Sequence, residues 1–242
     1  MRRRASLLLL LAIGLTGWFG SAVAAPTTQT HLQYAEVVLG GANPNTPLPM
    51  IVAVHGMGSH PDAFAGLFRE LDLPARLILP QAPNPKGRGF SWFSRKSSAK
   101  TLRTVTRRLA DLLTHLVTTR PTVGKPIVTG FSQGGMLSFM MALYHPDQII
   151  LAVPIGGYLP GRLRTPTKGA TVPVIALHGE KDTVISLAAA RDSVNYLKAQ
   201  GYSAQLVGFP GVAHRIPKRP KDELYKILRQ YLAKDKLFPA LP

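Results

Sequence analysis

Apolar runs of six to nine residues recur along the chain, and stretches with helical spacing separate most of them. The runs are MIVAVHG (50–56), ARLILP (75–80), PIVTGFS (126–132), IILAVPIGG (149–157) and VPVIALHG (172–179). A continuous apolar run is typical of a strand that is buried on both faces. The stretches with helical spacing are residues 98–118, 134–144, 187–199 and 222–232. This alternation predicts an α/β protein of one domain, with a mainly parallel sheet and helices on both faces.

Three further segments complete the expected fold. Residues 32–40 suggest a more exposed leading strand, and the sequence around Gln205 suggests a final one. The stretch rich in Pro and Gly at 80–89 is expected to be a loop within the domain.

The N-terminal segment has the pattern of a secretory signal. Three arginines follow the initiator methionine, an apolar stretch comes next, and the tripeptide Ala-Val-Ala ends at Ala24. A membrane anchor is the alternative, but small and polar residues before the tripeptide favour cleavage. We therefore expect residues 1–24 to be a cleaved signal peptide and residues 25–242 to form the domain. The protein is then exported, either to the periplasm or beyond the cell.

The chain is strongly basic, with 29 Lys and Arg against 12 Asp and Glu and a net charge of +17. Residues 73–110 hold nine of these cations and no acid. Such an excess of positive charge attracts anionic surfaces or substrates, although a plain basic exported protein is the simpler interpretation.

Nucleic acid is not expected as a partner, because the aromatic residues do not alternate with the basic ones as in a stacking platform. No other apolar run approaches the ~20 residues of a membrane span, so no stable membrane insertion is expected after signal cleavage.

The motif Gly-Phe-Ser-Gln-Gly at 130–134 joins a predicted strand to a predicted helix. In a nucleophile elbow, a serine at such a strained turn projects its hydroxyl above the sheet. Gly130 and Gly134 suit this bend, because side chains two positions either side of the serine would clash. Ser132 is therefore predicted to be a catalytic nucleophile, and an ordinary glycine turn is the alternative.

A serine nucleophile needs a base, and the base needs an acid to orient it. His214 follows the last predicted strand, in a loop that can reach back over the sheet to Ser132. Asp182 follows the predicted strand at 172–179 directly, with Glu180 as its nearest rival. The order Ser132, Asp182, His214 is the one expected in an α/β-hydrolase.

An oxyanion hole requires two N–H donors, which are usually backbone groups. We expect these from Gln133, directly after the nucleophile, and from Met57 in the segment HGMGSH, which follows the first predicted buried strand. No His, Asp and Glu cluster has the spacing of metal ligands, and no glycine-rich phosphate loop follows a strand, so neither metal nor organic cofactor is expected.

These motifs resemble the α/β-hydrolase superfamily, in particular its phospholipase/carboxylesterase branch, which includes acyl-protein thioesterases. The resemblance rests on VHGMG, GFSQGGM, LHGEKDTVI and GVAHRI, spread in this order over residues 54–216. It implies a single-domain α/β-hydrolase fold and hydrolysis of small to medium carboxylic esters. The segment GFSWF is similar to an aromatic segment that borders the acyl site in this branch. It suggests substrate contacts by Trp92 and Phe93, with ordinary core packing as the equal alternative.

Other functions remain open from the sequence alone. A thioesterase, an amidase or a small peptidase would use the same three residues. A protein that binds anionic surfaces on a hydrolase scaffold is a further alternative, which an intact triad disfavours. Four cations of the basic stretch are expected at the entrance of the site: Lys86, Arg88, Arg95 and Lys96.

Overall fold

A computed structural model of the chain describes residues 31–165, 169 and 171–233. Its strands are β1 (Tyr34–Leu39), β2 (Met50–Val54), β3 (Ala75–Pro80), β4 (Asn84–Lys86), β5 (Gly89–Ser91), β6 (Ile127–Phe131), β7 (Leu151–Ile155), β8 (Val174–Gly179) and β9 (Ala204–Phe209). Its α-helices are α1 (Pro61–Ala65), α2 (Ala99–Thr119), α3 (Gln133–Tyr144), α4 (Leu187–Ala199) and α5 (Lys218–Leu232). Short 3-10 helices cover Gly66–Phe68, Pro146–Gln148 and Gly161–Leu163.

The central sheet has seven strands in the order β1-β3-β2-β6-β7-β8-β9. Strand β1 is antiparallel to β3, and every other pairing in this sheet is parallel. The predicted mainly parallel sheet is therefore confirmed, and each of the five apolar runs contributes one of its strands. The carboxyl ends of β2, β6 and β8 lie at one edge of the sheet, which is where such folds place their ligands.

Helices cover both faces of this sheet, as predicted. Leu109 of α2, Leu137 of α3 and Leu197 of α4 are buried in a core on one face. On the other face, Leu224 and Leu228 of α5 belong to a second core. The fully buried strands supply both cores, because their successive side chains point in opposite directions.

The segment at 80–89 differs from the expected loop. Strand β4 pairs with β5 as a hairpin in which Lys86 lies opposite Gly89. Only two residues close the turn, and Gly87 adopts a φ of 60°, a conformation that glycine tolerates without steric cost. The expected loop is thus wrong for residues 84–86 and for Gly89, the first residue of β5.

Helix α5 begins at Lys218, four residues before the predicted start. Pro220 does not prevent this, because the first N–H groups of a helix have no partner within it. The expected signal peptide at 1–24 lies outside the described residues. Within the part of the chain that the structure describes, none of the helices combines the length and apolar composition that crossing a membrane requires.

Candidate active site

Ser132 sits in a strained turn between β6 and α3. Its backbone has φ 56° and ψ −112°, and it is the one non-glycine residue with positive φ among those described. A Cβ on Gly130 would lie 2.6 Å from the carbonyl carbon of Gly134. Because the chain folds back so closely on itself, the two glycines permit a turn that holds the serine in an unfavourable conformation.

Three side chains from separate loops meet at this turn. The Oγ of Ser132 lies 3.0 Å from Nε2 of His214, which follows β9. The Nδ1 of His214 lies 2.6 Å from Oδ2 of Asp182, which follows β8. A carboxylate only accepts, so Nδ1 carries the proton and donates it to Asp182. Nε2 is left as the acceptor for the Ser132 hydroxyl, which is the arrangement that general-base catalysis needs.

Asp182 is buried and held by its own turn. Its Oδ1 accepts from the backbone N–H groups of Val184 and Ile185, each at 2.9 Å. The Nε2–H of His178 donates to the carbonyl oxygen of Ile185 at 2.8 Å and lies 3.5 Å from Oδ2 of Asp182. The carboxylate therefore has one oxygen fixed by the backbone and the other directed at His214.

The segment after β2 passes directly beside the nucleophile. A Cβ on Gly56 would lie 3.4 Å from Cβ of Ser132. Further along, the N–H of Gly58 donates to the carbonyl oxygen of Phe90 at 2.8 Å, which ties this segment to β5. Met57 lies between these two anchored glycines, and Gln133 begins α3, where N–H groups lack partners within the helix. Both expected oxyanion donors thus belong to backbone next to Ser132.

His55 braces this segment from inside the protein. Its Nδ1–H donates to the carbonyl oxygen of Gly56 at 2.8 Å, and its Nε2 accepts from the N–H of Ala82 at 3.2 Å. The indole N–H of Trp92 donates to the His55 carbonyl oxygen at 2.8 Å. Burial lowers the pKa of His55 below its ordinary value of 6.5, although the bond to Gly56 opposes this shift. The neutral imidazole can therefore act as donor and acceptor at once.

The side chain of Gln133 makes hydrogen bonds that the sequence did not indicate. Its Oε1 accepts from the N–H of Trp92 at 3.0 Å and from the hydroxyl of Ser91 at 3.2 Å. Its Nε2 donates to the carbonyl oxygen of Phe93 at 2.7 Å. This buried amide fastens the aromatic segment to the start of α3. The only signal for it was a long polar residue inside the elbow motif.

A cavity of about 250 Å³ opens at Ser132. Its apolar lining comes from Met57, Phe93, Met136, Tyr158, Val184 and Ile185, and its cations are Arg95 and Arg162. The structure therefore brings Phe93 to the site. Trp92 is instead fully buried in the core and does not line this cavity. At this cavity, Phe93 thus has the contact role and Trp92 the core role, both of which the sequence left open for either residue.

The expected entrance cations are only partly placed there. Arg95 lines the cavity at Ser132, whereas Lys86, Arg88 and Lys96 do not. Arg162 was not anticipated, because it comes from a 3-10 helix that follows β7 by several residues. Among the described residues, no group of three or more His, Asp and Glu side chains is placed to hold a metal ion.

The fold and the hydrogen-bonded side chains of Ser132, His214 and Asp182 define an α/β-hydrolase. A family model described as phospholipase/carboxylesterase matches residues 32–232, nearly all of the described chain. The chain belongs to this phospholipase/carboxylesterase family of serine hydrolases.

Individual relatives are distant. Acyl-protein thioesterase 1 of Gibberella zeae is 22% identical over 211 residues, which cover 75% of this chain and 90% of that protein. A probable carboxylesterase of Oryza sativa subsp. japonica is 30% identical over 104 residues, which cover 41% of this chain and only 38% of the rice protein. The crystal structure of a carboxylesterase from Mesorhizobium loti superimposes with a TM-score of 0.72 at 21% identity, over 86% of this chain and 97% of that one.

Proposed function

We propose that the protein is a serine carboxylic-ester hydrolase that works through an acyl-enzyme on Ser132. The observation that carries this proposal is the continuous link from the Ser132 hydroxyl through His214 to Asp182. A protein that merely binds anionic surfaces has no need of a strained serine bonded to an oriented imidazole. The binding-protein alternative therefore receives no support from the site.

The proposed reaction begins with proton transfer from Oγ of Ser132 to Nε2 of His214, as Oγ attacks the ester carbonyl carbon. The N–H groups of Met57 and Gln133 stabilise the resulting oxyanion, each contributing about 3 kcal/mol to the transition state. The intermediate then collapses, and the alcohol leaves with the proton from His214. His214 next takes a proton from water, the hydroxide attacks the acyl carbon, and the acid departs as Ser132 regains its proton.

The size of the cavity at Ser132 supports the proposal that the substrates carry small to medium acyl groups. Its volume of about 250 Å³ lies just below the usual range for drug-sized ligands, roughly 300–1,000 Å³. Apolar side chains such as Phe93 and Met136 line part of it. A short acyl chain can be desolvated there, while the alcohol portion extends outward.

A thioesterase activity is the second candidate. It is favoured by the similarity to acyl-protein thioesterase 1 of Gibberella zeae over 90% of that protein. The same attack and the same oxyanion donors serve a thioester, and the leaving thiol needs less protonation than an alcohol. An amidase or peptidase would use the same residues, but it depends most strongly on protonation of the leaving group by His214.

The decisive experiment compares the protein with Ser132→Ala on 4-nitrophenyl acetate, butyrate and octanoate, and on a matched thioester and anilide. We expect turnover of the butyrate, and a loss in kcat of at least about 1,000-fold in Ser132→Ala. Ser203→Ala, which changes an exposed serine, is the matched control. A fluorophosphonate should label the wild type and not Ser132→Ala. Turnover or labelling that survives in Ser132→Ala would refute the mechanism.

We also propose that the protein is exported after removal of residues 1–24, on the strength of the basic, apolar and small-residue pattern at its N-terminus. N-terminal sequencing of the protein from cell fractions tests this directly. A mature chain that begins at Ala25 supports export, and an intact N-terminus in the cytoplasmic fraction contradicts it.

A further inference from the structure

A second and larger cavity lies beside the one at Ser132. Its volume is about 940 Å³, and Met57, Phe93, Ser94 and Arg95 line both cavities, so the two are contiguous. We call the larger one the basic groove, after the four cations that line it: Lys86, Arg95, Lys100 and Arg108. No Asp or Glu is among its lining residues.

The four cations of the basic groove have no acidic partner among the described residues. All are exposed, and within the described residues none of them forms an ion pair or a side-chain hydrogen bond. Some cations elsewhere are matched with acids: Arg120 pairs with Glu36, Arg164 with Asp192, and Lys221 with Glu70. Asp111, the one acid on α2, follows Arg108 by three residues without pairing with it.

Hydroxyl-bearing residues also line the basic groove, namely Ser94, Ser97, Thr101 and Thr104. The hydroxyls of Ser94 and Ser97 lie 3.3 Å apart, and that of Thr101 lies 3.0 Å from the hydroxyl of Ser98. Helix α2 begins at Ala99, so the positive end of its dipole lies at the same wall. Cations, hydroxyl-bearing residues and a helix start together form a surface suited to carboxylate or phosphate groups.

The sizes of the two cavities indicate which part of an ester each receives. The cavity at Ser132, at about 250 Å³, suits a short acyl group, and the basic groove is almost four times larger. Because the two share Met57 and Arg95, one molecule can span both. The larger groove therefore has room for the alcohol portion of the substrate.

We propose that the natural substrates are short-chain acyl esters of an anionic alcohol, and that the basic groove binds the carboxylate or phosphate groups of that alcohol. This proposal rests on the proposed ester hydrolysis at Ser132. It also gives the basic stretch at 73–110 a function, through Lys86 and Arg95 of the four cations expected from the sequence. Lys100 and Arg108, about two turns apart on α2, line the groove where Arg88 and Lys96 were expected.

The test compares two esters of matched size, the butyrate of 5-hydroxyisophthalate, a dianion, and the butyrate of its neutral diamide. Each kcat/KM is divided by the rate constant of uncatalysed hydrolysis, because the two phenolates differ in leaving ability. At low salt, we expect kcat/KM for the dianion to exceed that for the diamide by about tenfold, mainly through KM. Raising the salt from about 0.01 M to about 1 M should abolish this preference, because the Debye length falls from roughly 30 Å to 3 Å.

Variants locate the effect. In Lys100→Gln/Arg108→Gln, the preference for the dianion should fall to about twofold or less. Lys125→Gln/Arg69→Gln removes the same charge from exposed positions outside the groove and should retain the preference. Arg108→Lys, which keeps the charge, should retain most of it. A wild-type preference near one, or a preference that survives in Lys100→Gln/Arg108→Gln, would overturn the proposal.

A binding measurement separates this proposal from the proposed catalytic mechanism. The Ser132→Ala protein is titrated with the dianionic ester, and tryptophan fluorescence reports binding, because Trp92 lies beneath the basic groove. Binding that depends on Lys100 and Arg108 supports the groove even where no ester is turned over. Turnover of the neutral diamide together with absent or variant-independent binding of the dianion leaves the hydrolase mechanism intact and refutes the groove.

Discussion

The backbone carbonyl of Val54 in β2 occupies the space that a side chain on Gly134 in α3 would need. A Cβ on Gly134 would lie 2.6 Å from the carbonyl carbon of Val54 and closer still to its oxygen. Real Cβ atoms do not approach backbone so closely, so α3 can start beneath Ser132 only with glycine at this position. The elbow geometry therefore depends on a contact between two elements that are 80 residues apart in the sequence.

Gly134→Ala should destabilise the protein and displace Ser132. Because the obstructing atoms are backbone, relief requires a shift of α3 or β2, and overpacking of this kind costs about 3 kcal/mol or more. We expect a lower Tm and a loss in kcat of at least about 100-fold, measured by thermal unfolding and 4-nitrophenyl butyrate hydrolysis. Gly66→Ala is the control, since nothing lies within 4 Å of a Cβ there. A wild-type Tm and kcat in Gly134→Ala would contradict the argument.

The sequence predicted the layout of the site because each key residue follows a buried strand directly. Ser132, Asp182 and Met57 come within a few residues of the ends of β6, β8 and β2, and a parallel sheet brings such ends to one edge. His214 follows β9 in the same way. Local patterns therefore sufficed to predict which loops meet, because the strands of a parallel sheet all end at the same edge.

Contacts that depend on side-chain direction could not be predicted in this way. Trp92 and Phe93 are neighbours in an irregular segment with no periodicity to show which of them points inward. The bonds from Gln133 to the segment at 91–93 join residues about 40 positions apart. The helical pattern of α2 places Arg108 on the exposed face, but it does not show that the segment at 83–97 lies beside that face.

Gln133→Ala should loosen the aromatic segment while leaving the backbone N–H of residue 133 in place. The substitution leaves the Trp92 N–H without its partner, whereas the Ser91 hydroxyl and the Phe93 carbonyl oxygen still bond to each other at 3.0 Å. One unsatisfied buried N–H and the lost bonds to Ser91 and Phe93 should lower the free energy of unfolding by about 2 kcal/mol. Since Phe93 lines the cavity, KM for butyrate esters should also rise more than kcat falls.

Urea unfolding and steady-state kinetics measure the two effects of Gln133→Ala. Gln205→Ala, on the exposed part of β9, removes an amide of the same size and should leave both stability and KM unchanged. If Gln133→Ala matched this control in stability, the amide would not be fastening the segment at 91–93.

Glu36→Ala should destabilise the far edge of the sheet. Arg76 is almost fully buried, and its guanidinium bonds to the carboxylate of Glu36 and to the carbonyl oxygen of Pro44. Arg120 pairs with the second carboxylate oxygen at 3.0 Å. Removing the carboxylate leaves the buried charge of Arg76 without its counter-ion, which should lower the free energy of unfolding in urea by about 3 kcal/mol.

Glu223→Ala is the control, because it breaks an exposed pair with Lys226. It should lower the free energy of unfolding by less than about 1 kcal/mol in the same urea titration. Equal effects of the two substitutions would contradict this prediction.

The buried imidazole of His55 should make stability depend on pH. Burial lowers the pKa of His55 in the folded protein below the ordinary value of 6.5, near which it titrates in the unfolded chain. Between these two values the unfolded chain binds a proton that the folded protein does not. The stabilisation is therefore fully present above about pH 6.5 and is lost as the pH falls toward the folded pKa. His145, whose pKa is lowered by burial and by Arg107, contributes with the same sign.

His55→Gln isolates this contribution, because glutamine does not titrate. Although His55→Gln should be less stable at pH 8, its free energy of unfolding should fall less steeply than that of the wild type between pH 7 and pH 5. Ser91→Ala provides the control, since it loses a nearby hydrogen bond while retaining His55. Its unfolding free energy should be offset from the wild type by a constant amount across this range. Parallel curves for His55→Gln and the wild type would mean that protonation of His55 does not oppose folding.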